Sequence, residues 1–286
     1  MPDLQERVIV ITGATSGIGQ IAAGELAGMG ARLVLVARDR TRGEAALAYL
    51  RDAGTKTKHT IHYADLSSIA EMKRVASGIA AAEPPIDVLI NNAGALFGSR
   101  RQTPDGLEMT FATNHMSYFV LTLGLADRLR ATPGARVVNT ASDAHKGAKL
   151  DFDDLQTTKN YRGFAVYGRS KLCNILFTRE IARRWRDTGV TVNCLHPGFV
   201  ATRFGDHSGG TFSRVIRVAK WFAISPQKGA RTIVYLASST EVKNTSGAYF
   251  YKCKPAEPTQ EAQDDESAKR LWDESSRLAA ITEPRP

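Results

Sequence analysis

Tyr167-Gly168-Arg169-Ser170-Lys171 sets a phenol and an ammonium at i and i+4, which is one face of a helix. A neighbouring ammonium favours the phenolate and lowers its pKa, so the pair suits proton transfer to and from a substrate oxygen. A second cluster is Thr12-Gly13-Ala14-Thr15-Ser16-Gly17-Ile18-Gly19. Its glycines let a backbone approach a pyrophosphate, and a helix beginning there offers free N–H groups and the positive end of its dipole. The spacing is G-x-x-x-G-x-G, not G-x-G-x-x-G. A third feature is Ala37-Arg38, where a carboxylate would accept from both ribose hydroxyls of NAD. A small residue followed by a guanidinium instead leaves room and charge for a 2′-phosphate, which favours NADP(H) over NAD(H).

These groups need elements that bring them together. Arg7–Thr12 is a continuous β-branched run stopped by the glycine cluster, as expected for a strand buried on both faces of a parallel sheet. Similar runs are 32–37, 60–64, 88–91, 136–140, 191–195 and 248–250. Helical periodicity fills 18–29, 42–53, 68–82, 107–130, 167–186 and 226–237. The alternation predicts an α/β fold: a doubly wound sheet of about seven parallel strands with helices on both faces, in a single domain spanning 1–286. In such sheets the loops at the carboxyl ends of strands build the ligand site. Asn91-Asn92-Ala93-Gly94, Ser142 and Pro197-Gly198 all follow predicted strands, and Asn114 lies in the long helical stretch before Ser142. The two segments that break the rhythm, 143–163 and 203–225, are predicted substrate loops, and 254–286 reads as a C-terminal extension.

Composition narrows the classes. At 286 residues with 43% hydrophobic and 23% charged residues, the chain is an ordinary globular protein. No run approaches a membrane span, and the first residues lack the layout of a secretory signal. Three cysteines without CxxC spacing exclude a disulfide framework and a zinc ribbon, so a soluble, cytoplasmic protein without a metal is expected. The net charge of +9 is spread along the chain without a basic run, which argues against nucleic acid.

Taken together, the set Thr12–Gly19, Asn91–Gly94, Asn114, Ser142, Tyr167/Lys171 and Pro197-Gly198 resembles the short-chain dehydrogenase/reductase family, in the family's order from Val8 to about Thr202. Tyr167–Thr202 and the tail around Lys254–Pro258 and Leu271-Trp272 resemble its retinol dehydrogenase and WW-domain-containing oxidoreductase branch. The resemblance implies a Rossmann-type fold and an NADP(H)-dependent oxidoreductase that interconverts an alcohol and an aldehyde or ketone. It implies that Gly13, Ser16, Gly17, Ile18 and Gly19 wrap the cofactor pyrophosphate, that Arg38 holds the 2′-phosphate, and that Asp65-Leu66 face adenine. Asn91 and Ala93 would line the adenosine side, and Pro197, Gly198, Val200 and Thr202 would cap the nicotinamide. Tyr167 would be the acid/base residue and Lys171 would depress its pKa and bind the nicotinamide ribose. Ser142 would bond the substrate oxygen, and Asn114 would hold a helix distortion and a water of the proton relay. A homodimer or homotetramer follows from the same resemblance, with 107–130 and 164–186 supplying an isologous four-helix contact.

Other signals carry less. Gly163–Ser170 nearly matches a P-loop, but Arg169 stands where lysine is required and no strand precedes it. His59 and His62 would point to opposite faces of a strand. Ser142 and His196 lack the G-x-S-x-G elbow of a hydrolase, and His196 and His115 read as packed residues. Residues 209–225 read as an amphipathic basic helix, with Phe212, Val215, Ile216, Ala219 and Phe222 opposite Arg214, Arg217 and Lys220. It could be a surface helix, or a lid over a lipophilic or ring-bearing substrate whose basic side rests transiently on a membrane surface. The alternative to an enzyme is a cofactor-sensing binding protein. Such sensors usually lose the tyrosine or the lysine, and here both are present.

Overall fold

The computed structural model describes residues 3–52, 57–83, 85–198 and 225–282. Its centre is one sheet of eight strands: β1 (Val8–Thr12), β2 (Arg32–Ala37), β3 (Thr60–Tyr63), β4 (Val88–Asn91), β5 (Arg136–Thr140), β6 (Thr191–His196), β7 (Tyr249–Tyr251) and β8 (Lys254–Ala256). The spatial order is β3-β2-β1-β4-β5-β6-β7-β8, and the pairings from β3 to β7 are parallel. Order reverses between β1 and β4, the point at which doubly wound sheets open a crevice.

The runs are continuous because both faces are covered. In β1, Val8 and Val10 belong to one core and Ile9 and Ile11 to the other; in β2, Val34 and Val36 oppose Leu33 and Leu35. One face carries α1 (Gly17–Gly28) and α2 (Arg40–Asp52). The other carries α3 (Ile69–Ala82), the broken helix described next and α7 (Gly163–Arg184). Returning to the first face, α8 spans Pro226–Ser238, and α9 (Asp265–Ala279) completes the second.

One expectation is corrected and two are filled in. The helix expected over 107–130 is broken into α4 (Met109–Phe111), a π-helical turn (Ala112–Met116), α5 (Ser117–Gly124) and α6 (Ala126–Arg130). The buried Glu108 carboxylate starts it by accepting the N–H groups of Thr110 and Phe111. The sheet has an eighth strand, antiparallel to β7, because Lys252 and Cys253 both adopt positive φ (50° and 61°) and close a two-residue hairpin. The predicted extension is therefore an edge strand followed by the amphipathic helix α9.

That helix packs across two others. Trp272 stacks on Phe177 of α7 at 6.0 Å and meets Phe119 of α5 edge-on at 5.1 Å, while the Arg184 guanidinium lies 4.2 Å over its ring. α9 thus packs on α5 and α7. Among the described residues no helix is long and apolar enough to cross a membrane. The segment 209–225 lies outside the described residues but for Ser225, which caps α8 by accepting the Lys228 N–H.

Candidate active site

The site is built at the carboxyl ends of β1, β4, β5 and β6. After β1 the chain turns through Gly13 (φ +71°) and Gly17 (φ +58°). The buried Thr12 hydroxyl accepts N–H groups from Asn92 (2.9 Å) and Ala93 (3.0 Å), and the Asn92 amide donates back to the carbonyls of Thr12 and Gly13. The turn is therefore fastened to the end of β4. It is also too tight for side chains: a Cβ on Gly19 would lie 2.3 Å from the Gly13 carbonyl oxygen, and one on Gly13 would lie 2.8 Å from Ala93 Cα. Ser16 is the N-cap of α1, but its exposed hydroxyl caps nothing, so the first turn has no side-chain partner for its N–H groups. Ile18 follows in that turn, partly buried. A close-packed glycine turn under an uncapped helix start suits an anionic pyrophosphate.

Ala37 ends β2 buried and Arg38 stands exposed beside it. Asp65 is tied into its own turn, accepting the N–H (3.0 Å) and hydroxyl (2.8 Å) of Ser67, and Leu66 is buried. The Asn91 side chain is fully buried, its Nδ2 donating to Thr122 and Asn139 while its Oδ1 has no partner. Gly198 has φ +90°, and its N–H donates to His196 Nδ1. Beside it, Pro197 is partly buried. Val200 and Thr202 lie outside the described residues.

The four candidate catalytic residues converge. Lys171 Nζ donates to the Thr140 carbonyl at 2.9 Å and sits 5.6 Å from the centroid of the Tyr167 ring. Ser142, at the end of β5, shares a hydrogen bond with the Tyr167 hydroxyl, and its Oγ also accepts the Ala144 N–H. Asn114 lies in the π turn, where its amide donates to the Ala95 carbonyl (2.9 Å) and Ser170 Oγ (3.0 Å), while its oxygen accepts the Ala95 N–H. A Cβ on Gly94 would lie 3.3 Å from Asn114 Oδ1 and 3.5 Å from Lys171 Nζ, so both polar ends reach the loop after β4.

The electrostatics differ from what the i, i+4 spacing suggested. Burial raises the Tyr167 phenol above its ordinary value, with the Ser142 hydrogen bond opposing, and burial lowers the Lys171 ammonium to about 7. Desolvation dominates both shifts and in each favours the neutral form.

One contributor was not visible in the sequence. A Cβ on Gly168 would lie 2.5 Å from the Ala144 carbonyl oxygen, so a glycine beside Tyr167 is what lets the Ser142 turn approach α7. Part of the insertion 143–163 packs onto α7, and a cavity of about 10 Å³ lies among Leu150, Leu155, Val166 and Cys173. The packed histidines are as expected. His196 stacks on Tyr251 at 4.5 Å, and the buried His115 bonds Ser275 Oγ of α9 at 2.8 Å, with its pKa driven down to about 3 by burial.

The sequence profile described as short chain dehydrogenase matches residues 7–209. Retinol dehydrogenase 13 of Homo sapiens is 39% identical over 284 residues, covering 97% of this chain and 86% of that protein. Among solved structures, an uncharacterized protein from Mycobacterium Paratuberculosis superposes with a TM-score of 0.80 at 29% identity, covering 99% of this chain and 97% of that one. The Pseudomonas aeruginosa RhlG/NADP active-site complex superposes with a TM-score of 0.69 at 25% identity, covering 87% and 96%.

Proposed function

The chain belongs to the short-chain dehydrogenase family, and from that premise we propose that it interconverts an alcohol and an aldehyde or ketone using NADP(H), with a lipophilic or ring-bearing substrate. The observation that carries this reading is the convergence of Asn114, Ser142, Tyr167 and Lys171 next to a glycine turn fit for a pyrophosphate. The residues present fit the cofactor. Gly13, Ser16, Gly17, Ile18 and Gly19 would hold its pyrophosphate, and the exposed Arg38 beside the small Ala37 would hold a 2′-phosphate. Asp65, Leu66, the Asn91 main chain, Ala93, Pro197 and Gly198 would line the rest. Once bound, NADP(H) supplies or takes up the hydride.

The chain's own part is proton handling and positioning. Tyr167 gives its phenolic proton to the carbonyl oxygen in reduction and takes it back in oxidation. Ser142, already bonded to that phenol, donates to the same oxygen as charge develops on it. Lys171 anchors the phenol's surroundings through the Thr140 carbonyl, and Asn114 braces Ala95 and Ser170. Because burial raises the Tyr167 pKa, the phenol stays protonated through neutral pH, which suits it as an acid. Reduction is therefore expected to be flat with pH through the neutral range, and oxidation to accelerate as pH rises. Steady-state rates in both directions check this, and an oxidation rate that falls with pH overturns it.

Arg38→Ala is expected to weaken NADP roughly ten- to a hundredfold, the worth of a charge-assisted contact, while NAD affinity barely moves. Titration of both cofactors decides it; a wild-type preference for NAD overturns the cofactor assignment.

Phe164 supports the substrate class. It is 57% exposed, unusual for a large apolar side chain, and its ring lies 6.4 Å from that of Tyr167. An apolar face beside the proton donor favours a hydrocarbon or ring next to the reacting carbonyl. Phe164→Ser is expected to raise KM for ring-bearing aldehydes roughly tenfold and leave short polar aldehydes unaffected. A panel of aldehydes, ketones and alcohols with NADPH or NADP tests the whole reading. Cofactor binding without turnover of any of them would favour the cofactor-sensing alternative.

A further inference from the structure

His145 has no part in the roles above, yet its imidazole is fully buried three residues after Ser142. Its Nδ1 lies 2.7 Å from the Ser142 carbonyl oxygen, and its Nε2 lies 3.3 Å from the Thr259 main-chain nitrogen. The carbonyl can only accept, so Nδ1 carries the proton and donates to it. The neutral ring then has its lone pair at Nε2, where the Thr259 N–H donates. Both ring nitrogens are used, in one tautomer and one orientation. Tyr249 of β7 meets the ring edge-on at 5.4 Å. The Ser142 carbonyl also accepts the His145 main-chain N–H at 3.2 Å, so it is held from two sides.

We propose that His145 is a positioning residue, fixing the Ser142 main chain, and through it the direction of the Ser142 hydroxyl, by tethering it to Thr259. The tether ties the active site to a part of the chain beyond the matched residues 7–209. The physical need is plain. Ser142 is the second residue beyond β5, with extended backbone before a single 3₁₀ turn, and nothing in the sheet ladder holds its carbonyl. A hydroxyl that must meet an oxygen already approached by Tyr167 tolerates little rotation.

The proposal rests on the role given to Ser142 under Proposed function. It separates His145 from ordinary core packing by which nitrogen matters. The amide nitrogen of an asparagine falls near Nδ1 and can still donate to the Ser142 carbonyl. The amide of a glutamine falls near Nε2, where it keeps the Thr259 contact and loses that to Ser142. His145→Gln and His145→Phe are expected to lower kcat roughly ten- to a hundredfold, the scale of a displaced reacting group, with cofactor affinity unchanged. His145→Asn keeps the Ser142 contact but releases Thr259, so its kcat should fall between that of His145→Gln and wild type. Thr259→Pro removes the N–H donor together with the side-chain hydroxyl, at a residue whose φ of −64° proline adopts, and should lower kcat in the same direction, whereas Thr259→Ala, which keeps the N–H, should not.

The deciding measurement is a double-mutant cycle in full-length enzyme. In a Ser142→Ala background, His145→Gln should cost no more than about twofold further, because the group it positions is gone. Wild-type kcat for His145→Gln overturns the proposal, as does an equal loss with and without Ser142. A Ser142→Ala enzyme as fast as wild type would instead overturn the role of Ser142, and His145 would lose its purpose with it.

Discussion

Replacing Tyr167 by phenylalanine is expected to lower turnover by roughly 10²–10⁴-fold, the usual contribution of a general acid–base group. The substitution is confined to one atom. Tyr167 is 8% exposed, its ring lies against Phe164, and its hydroxyl is bonded to Ser142. Phenylalanine keeps the ring and its packing and removes the proton. The loss should fall on kcat, with NADP affinity unchanged, because none of the groups assigned to the pyrophosphate or the 2′-phosphate moves. Kinetics on a reactive aldehyde together with cofactor titration measure both. A Tyr167→Phe enzyme near wild-type speed would remove the phenol from the mechanism.

Lys171→Met should show two opposite effects. Turnover falls on a similar scale, since the Lys171 amino group that holds the floor of the site is gone. Stability rises at neutral pH. In the unfolded chain the ammonium keeps its proton up to its ordinary pKa of 10.5, and in the fold burial lowers this to about 7. Between those values the unfolded chain binds more protons, so wild-type stability increases with pH across that window. Below pH 7 the lysine is charged in both states and the cost of burying it is present in full, on the order of a few kcal/mol. Methionine removes that cost. It leaves the Thr140 carbonyl still accepting from Asn174 Nδ2 at 3.3 Å. Thermal unfolding should therefore show Lys171→Met melting above wild type at pH 7, with the advantage shrinking as pH approaches 10. A variant less stable than wild type at pH 7 would mean that the ammonium is better compensated than its surroundings indicate.

The inner strands were legible because burial on both faces leaves a continuous apolar run that a helix of the same length does not need. β8 was not: Lys254-Pro255-Ala256 is short, largely exposed and carries a proline, and the turn before it is Lys-Cys rather than Asn-Gly. α9 was hidden by its acidic face, although Ala268, Leu271, Trp272, Ser275 and Ala279 are buried at helical spacing. The π turn around Asn114 leaves no mark on apolar periodicity, because one extra residue per turn still buries Phe111, Met116 and Phe119. Within the site, residue types and spacing pointed to Tyr167, Lys171 and the glycine turn. They could not reveal the direction of the Tyr167 shift, which depends on desolvation by distant residues. Nor could they reveal Gly168 or His145, whose importance lies in contacts to Ala144 and Thr259.

The packing of α9 on α7 bears on how activity depends on protein concentration. In an assembly whose catalytic helix is braced by a neighbouring subunit, dilution separates brace from helix. Here Trp272, Ser275 and Arg184 brace α7 and the π turn from within one chain, at an effective concentration that dilution does not touch. Specific activity should hold constant down to the lowest enzyme concentrations an assay can read. What the brace is exposed to instead is proteolysis: one cut between β8 and α9 would turn a permanent contact into one that diffusion can end.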